Sequence, residues 1–524
     1  MTVEFVTFTQ AAERIPDNAV VTVSSSSGLG CPDRMLRAIG EHFEHVGHPC
    51  NLTTLHPIAA GDVYGIKGVD HIAKDGLLSR IIAGSYPSGP SSKPMPEIWR
   101  MITEDRVQAY NVPSGILFDM HREVAARRPG VLTKVGLDTF VDPHHEGSVM
   151  NASAAKQPIV ERVQFNDDSW LFFPNIVPNV AIIRATTADE LGNLTYEHEG
   201  AYLGVLEQAI AVKNQGGLII AQVKRVAAMG TLRPYDVHVP THLVDLVVVD
   251  PEQQQTTGIA YDPTISGELT TPLSEFKPHP HSIEKVIARR AAMELQAGQT
   301  ANLGFGMSTM LPGILIEEGL AHSITWVIEQ GAVGGVPLTD FAFGCAANAE
   351  AILPSTSQFI YFQGGGFDIA FLSFLEIDVE GNVNVSKLAK RPYLTAGCGG
   401  FVDITAHARK IIFSGLFEIS AELELSDSGL QVVALGKISK MVTAVEQITF
   451  SGLRARDSGQ DVLYITERCV MRLDEKGLVA VEIMPGINPQ RDIIDASEGR
   501  VRVASDAIEM PHNLLHQKPM GLTL

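Results

Sequence analysis

Ile324-Thr-Trp-Val-Ile-Glu-Gln-Gly-Ala-Val-Gly-Gly-Val-Pro337 decides how the chain reads. Five β-favouring residues, Ile324 to Ile328, predict a buried strand. An acid, Glu329, follows, and then a glycine turn through Gly331, Gly334, Gly335 and Pro337. This order places a carboxylate where strand becomes loop, the end at which open α/β sheets bind ligands. The glycines admit positive φ and let a bulky ligand approach the backbone. A strand-end or salt-bridged glutamate is the plainer reading of the same residues.

Working outward, residues 298–320 predict strand, glycine turn and helix: Ala301-Asn-Leu-Gly-Phe-Gly306, then an apolar helix through Ile314-Leu-Ile-Glu-Glu-Gly319. Residues 19–40 follow the same plan, with a strand Ala19–Val23, the turn Ser24–Gly30 and a helix opening at Pro32, where proline's missing N–H costs least. A second pair repeats too. Ala181-Ile-Ile-Arg leads to Asp189-Glu-Leu-Gly-Asn-Leu194, and Ala370-Phe-Leu-Ser leads to Asp378-Val-Glu-Gly-Asn-Val383. Each ends in a Gly-Asn turn signature. Each then continues into a helix and a strand: Leu206–Val212 into Leu218–Val223, and Asp403–Arg409 into Ile411–Phe413. The pattern predicts a duplicated α/β module with two related open-sheet domains.

Gly28 and Gly192 are 164 positions apart, and Gly304 and Gly381 are 77 apart. The N-terminal copy therefore carries roughly 90 extra residues. We place them at about 85–175, a span that holds the proline- and serine-rich stretch Tyr86–Pro96, a helix near 97–110 and Phe140–Gly147, and expect a cap over one face. Domains are expected at 1–262 and 282–524. The linker 263–281 includes Lys277-Pro-His-Pro-His281, and Ser282 N-caps the helix Ile283–Leu295. His279 and His281 lack further ligands at workable spacing, so a solvated linker suits them better than a metal.

The 524 residues exceed a single core. A net charge of −20 disfavours nucleic acid and anionic membranes as partners. No apolar run is long enough for a bilayer. The start, Met1 to Thr7, shows no basic n-region or apolar h-region, so no signal peptide is expected. The five cysteines are scattered, without a Cys-x-x-Cys pair. That fits a reducing cytoplasm and neither a disulfide framework nor a zinc site.

Three glycine clusters accompany Glu329: Asn302-Leu-Gly-Phe-Gly306, Gln363-Gly-Gly-Gly-Phe-Asp368 and Gly397-Cys-Gly-Gly-Phe-Val-Asp403. The first lacks the third Rossmann glycine, and no Gly-Lys-Ser/Thr is present, so neither a dinucleotide nor a P-loop reading holds. Three clusters around one carboxylate offer backbone N–H donors for an oxyanion. Cys398 has no paired histidine and reads as a small turn residue. His144-His145-Glu146 reads as a loop. Asp368 and Asp403 read as turn or cap residues.

Taken together, Glu329-Gln-Gly-Ala-Val-Gly-Gly335, Asn302–Gly306 and Gly397–Asp403 resemble the family I CoA-transferases, in particular the single-chain acetate/propionate type with NagB/RpiA-like domains. Further segments agree in order: Gly136–Pro143, Ile183–Asp189, Gln222–Lys224, Phe450–Gly452 and Tyr464–Arg468. The resemblance implies ping-pong transfer of coenzyme A between short-chain acyl-CoA and free carboxylic acids through a glutamyl-CoA thioester. Glu329 is then the nucleophile, and Gly399 and Gly400 supply oxyanion donors. Asn302, Gly304, Gly306, Gly365 and Gly366 stand on the CoA side, and Lys387 faces either a CoA phosphate or solvent. The resemblance further implies coenzyme A as co-substrate with no resident cofactor or metal, and a homo-oligomer. The chain departs from the pattern at Ser114, where many relatives carry glutamine near the acyl group, and in its serine-rich first turn. Both departures concern which acid is accepted. An acyl-CoA hydrolase using the same glutamate and a non-catalytic CoA sensor are the alternatives.

Overall fold

A computed structural model describes residues 3–89 and 92–524. Met1 and Thr2 of the chain start, and Pro90 and Ser91 of the proline- and serine-rich stretch, lie outside it. Its frame is two ten-stranded sheets. In the first, parallel strands run in spatial order Glu4–Phe5, Leu246–Val249, Leu218–Ala227, Val180–Asp189, Val20–Val23, Leu52–His56, Leu78–Ala83 and Gln108–Asn111. In the second, Asp461–Ile465, Lys410–Ser414, Ile369–Ser373, Thr300–Leu303 and Thr325–Val327 repeat the five-strand order that begins at Leu246–Val249 and ends at Leu52–His56. Val180–Asp189 is buried at every position; its first half is the apolar run that burial on both faces favours, and Arg184 within the strand is paired with Glu199 at 2.7 Å.

The two Gly-Asn turns are built alike. Asp189 Oδ1 accepts the N–H groups of Leu191 and Asn193 while Asn193 Nδ2 donates to Asp189 Oδ2. Asp378, Glu380 and Asn382 make the same three bonds. An Asx bracket of this kind ties a strand end to the return of the chain. Ser282 caps Ile283–Ala292 through its side chain, which accepts from the Lys285 N–H.

The span 85–175 divides in two. Its first part extends the main sheet and does not lie over it: Glu97–Thr103 is a helix and Gln108–Asn111 an edge strand beside Leu78–Ala83. The helix expected near 97–110 stops early because Asp105 turns at φ 57°, a conformation a helix cannot continue through. The second part holds a three-stranded antiparallel sheet, Gly130–Thr133, Asp168–Pro174 and Glu161–Phe165. Its neighbouring loop meets the C-terminal half, where Arg454 pairs with Asp138 at 2.9 Å and the Phe140 N–H donates to the Ile448 carbonyl at 2.7 Å. Among the described residues, no helix is long and apolar enough to cross a membrane.

Candidate active site

Thr325–Val327 turns back at once into Ala332–Val333, its antiparallel neighbour. Glu329 and Gln330 are the two tip residues of this hairpin, closed by the bond from the Gly331 N–H to the Ile328 carbonyl at 2.9 Å. Gly331 adopts φ 123°, and a Cβ there would collide with the Leu353 carbonyl oxygen. Only glycine fits. The tip lies at the carboxyl ends of the parallel strands, beside the place where strand order reverses.

The Glu329 side chain is half-buried. Gln330 Nε2 donates to its Oε1 at 3.0 Å and to Ser26 Oγ of the N-terminal half at 3.1 Å. The Gly400 N–H faces the carboxylate. Burial pushes the Glu329 carboxyl up to about 7, against the pull of Gln330 and Gly400. A carboxylate kept poorly solvated and hydrogen-bonded only at defined points is a better nucleophile than one in water.

The loop 397–400 is fastened to the N-terminal half at successive residues. The Cys398 N–H donates to Asn111 Oδ1 at 2.8 Å and the Gly399 N–H to the Gly84 carbonyl at 2.7 Å. The Ser114 N–H returns a bond to the Gly399 carbonyl at 2.9 Å. The two glycines read from sequence as oxyanion donors thus direct their N–H groups differently. The Gly399 N–H is committed to Gly84, and the Gly400 N–H points at Glu329.

The other residues singled out from sequence separate into three groups. Gly304 and Gly306 lie in the loop after Thr300–Leu303, on the Glu329 end of the sheet. Asn302 and Ser114 lie close by but inside the protein. Asn302 is buried and donates from Nδ2 to the Val327 carbonyl at 3.1 Å, bracing the strand that carries Glu329. Ser114 is fully buried, and its Oγ has no hydrogen-bond partner among the described residues. Gly365 and Gly366 are elsewhere. They form the C-terminal turn of the helix Ser355–Gln363, their N–H groups bonded to the Phe362 and Tyr361 carbonyls, at the start of Ile369–Ser373 and so at the opposite end of the sheet. A glycine triplet after a helix serves as its cap, which explains why it resembled a ligand loop in sequence. Lys387 pairs with Glu146 at 3.2 Å and keeps 40% of its side chain exposed.

Four side chains of the site did not emerge from sequence. Gln330 and Ser26 position Glu329. Asp403, read as a cap, is fully buried; it accepts from the Gly115 N–H at 3.0 Å and from Gln363 Nε2 at 3.1 Å. Burial pushes Asp403 up to about 8 and its neighbour Asp119 up to about 6. A polar residue three positions past Gly400 in an otherwise apolar helix turn was the available signal. Cys398 is buried, and that burial pushes its thiol well above the usual range, the environment of an unreactive cysteine.

Residues 5–250 match the Coenzyme A transferase family. Over almost the whole chain, the sequence is 39% identical to a caffeate CoA-transferase of Acetobacterium woodii, covering 99% of this chain and 98% of that one. It is 36% identical to the acetate CoA-transferase YdiF of Escherichia coli K12, covering 98% and 96%. The fold superposes with a TM-score of 0.91 on the acyl-CoA transferase YdiF of Escherichia coli O157:H7, solved as a thioester complex with CoA, at 34% identity and covering 100% and 98%.

Proposed function

We propose that this chain, which belongs to the coenzyme A transferase family, moves coenzyme A between a short-chain acyl-CoA and a free carboxylic acid of the acetate or propionate type, with Glu329 as covalent nucleophile. The CoA-transferase activity is the family's; the acids and the covalent route are our reading. One observation carries it: Glu329 sits half-buried at the tip of a tight hairpin, with Gln330 holding one oxygen and the Gly400 N–H facing the carboxylate.

The steps of this reading are those the family resemblance implies, and the geometry supports them. The Glu329 carboxylate attacks the thioester carbonyl, the C–S bond breaks, and an acyl-glutamyl anhydride and CoA thiolate result. The thiolate attacks the glutamyl carbonyl and expels the first acid as carboxylate, leaving coenzyme A in thioester linkage to Glu329. A second carboxylate reverses both steps. The Gly400 N–H is placed to stabilise the oxyanion that forms on the glutamyl carbon, where losing one donor costs about 3–4 kcal/mol. With a carboxyl at about 7, about half the molecules carry the anion at neutral pH. Holding coenzyme A by its distant nucleotide supplies binding energy for positioning the thioester. The relative solved as a thioester complex with CoA supports this route. Coenzyme A enters as co-substrate, and the family resemblance favours a homo-oligomer working in the cytoplasm.

The test is thiol release and acyl exchange from acetyl-CoA and propionyl-CoA, with and without an acceptor acid. Exchange that needs the acceptor and vanishes in Glu329→Gln supports transfer. Thiol release without acceptor at the same rate indicates hydrolysis, and binding without turnover indicates a sensor.

A further inference from the structure

We propose that Asp403 is a positioning residue for the transfer reaction: by gripping the N-terminal turn of the helix Ser114–Ala125, it holds Gly400 in register with Glu329. The inference rests on Glu329 being the nucleophile.

Asp403 lies three residues past Gly400, in the helix Phe401–His407. It is fully buried and reaches across to the N-terminal half, where its Oδ2 accepts the Gly115 N–H at 3.0 Å. That N–H belongs to the first helical turn and has no partner within its own helix. The other oxygen meets Gln363 Nε2 at 3.1 Å. Gln363 ends the helix Ser355–Gln363, whose Phe359 packs against Gly400. One carboxyl thus ties three helices to one another, and the glycine facing the nucleophile starts one of them.

Residue 115 is shaped for this contact. A Cβ on Gly115 would collide with Asp403 Oδ1 and stand 2.6 Å from Gln363 Nε2. Glycine near a helix start otherwise costs stability, since alanine favours the helix by about 1 kcal/mol. The space left empty is occupied by the Asp403 carboxyl. The three backbone bonds at 398, 399 and 114 fix the loop before Gly400; Asp403 fixes the helix after it. Without Asp403 the helix that follows Gly400 loses its hydrogen bond to the helix Ser114–Ala125.

Burial, with Asp119 and Glu329 nearby, pushes Asp403 up to about 8, against the pull of the Gly115 N–H and Gln363 Nε2 that donate to its two oxygens. Asparagine keeps an oxygen that accepts from Gly115, and its amide donates to Gln363 once that side chain turns its own amide around.

The experiment follows the rate at which acetyl-CoA or propionyl-CoA converts Glu329 to its thioester, trapped with hydroxylamine, alongside steady-state kcat and KM, in wild type, Asp403→Ala, Asp403→Asn and Gly115→Ala. We expect Asp403→Ala and Gly115→Ala to lose 10- to 100-fold in thioester formation and kcat with KM for acyl-CoA changed less than 3-fold, and Asp403→Asn to recover to within about 3-fold of wild type. If Asp403→Ala does not fold, Gly115→Ala and the near-isosteric Asp403→Asn report the same contact, each read after a thermal melt shows that it folds. Folded variants that form the thioester at the wild-type rate overturn the inference. So does Asp403→Asn as slow as Asp403→Ala, or a loss confined to KM. Absence of any Glu329 adduct in wild type refutes the nucleophile assignment itself.

Discussion

Two neighbouring glycines make opposite demands, and replacing each by alanine separates catalysis from backbone strain. Gly400 has φ −88°, which alanine adopts freely. Its new Cβ would nevertheless stand 2.8 Å from Phe359 Cε1 and closer still to Glu329 Oε2. A methyl carbon needs about 3.5 Å, so the carboxylate must retreat by about 1 Å. A displacement of about 1 Å at a reacting atom costs about 100-fold in rate, equivalent to about 2.7 kcal/mol. Gly399 is the reverse case. Its φ is 51°, and a Cβ there would meet nothing within 4 Å. Alanine at 399 strains the backbone by about 1–2 kcal/mol but leaves its N–H on the Gly84 carbonyl and leaves Glu329 untouched. We expect Gly400→Ala to lower kcat about 100-fold, with a fall in melting temperature from crowding Phe359, and Gly399→Ala to lower melting temperature while kcat stays within about 3-fold of wild type. Acyl exchange between propionyl-CoA and acetate, with thermal melts on the same samples, measures both. Equal losses of kcat in the two variants would refute the placement of the carboxylate against Gly400.

The activity limb and the stability limb run oppositely with pH. Because the anion of Glu329 attacks and its carboxyl is raised to about 7, kcat/KM at saturating acceptor should rise with pH up to about 7 and then level off. Raised carboxyls bind protons more tightly folded than unfolded, so Glu329 and Asp403 should lower stability as pH rises from the unfolded values of about 4 through about 7 and about 8. Denaturant unfolding between pH 5 and 8 should show that slope, flattened in Asp403→Asn; an unchanged slope would argue against a raised Asp403. Ser114→Gln, which forces a longer side chain into a fully buried position, should cost about 1–3 kcal/mol and shift the preference among acetate, propionate and longer acids; an unaltered acid profile would remove Ser114 from the acyl pocket. Lys387→Ala should change stability by less than about 1 kcal/mol, since Glu146 keeps its bond from Gln447 Nε2 at 2.7 Å. It should move KM for acyl-CoA by less than 3-fold. A tenfold rise in KM would restore the lysine to a phosphate contact.

What was legible in the sequence was whatever local chemistry encodes. The strand, glycine turn and helix at 19–40 and 298–320, the paired Asp-x-x-Gly-Asn brackets and the serine cap at 282 all came through, because each depends on residues a few positions apart. Glu329 was conspicuous because it stands between an apolar strand and a glycine turn, and the structure sets it at the tip of that hairpin. Long-range partners did not. Gln330 reaches Ser26 from 304 positions away and Asp403 reaches Gly115 from 288 positions away, and no local pattern announces either. Glycine was ambiguous in the same way. Gly365 and Gly366 close a helix, Gly399 meets a backbone demand and Gly400 clears space for a carboxylate, yet all four sit in similar runs. Edge strand Gln108–Asn111 was hidden because its pairing with Leu78–Ala83, not its own composition, makes it a strand.

Covalent chemistry at Glu329 is open to direct measurement. The protein is exposed briefly to acetyl-CoA or propionyl-CoA without acceptor acid, trapped with hydroxylamine or borohydride, digested and read by mass spectrometry. We expect modification confined to the peptide that holds Glu329 and missing from Glu329→Ala. An unmodified Glu329 peptide in protein that demonstrably binds the acyl-CoA would contradict the covalent route.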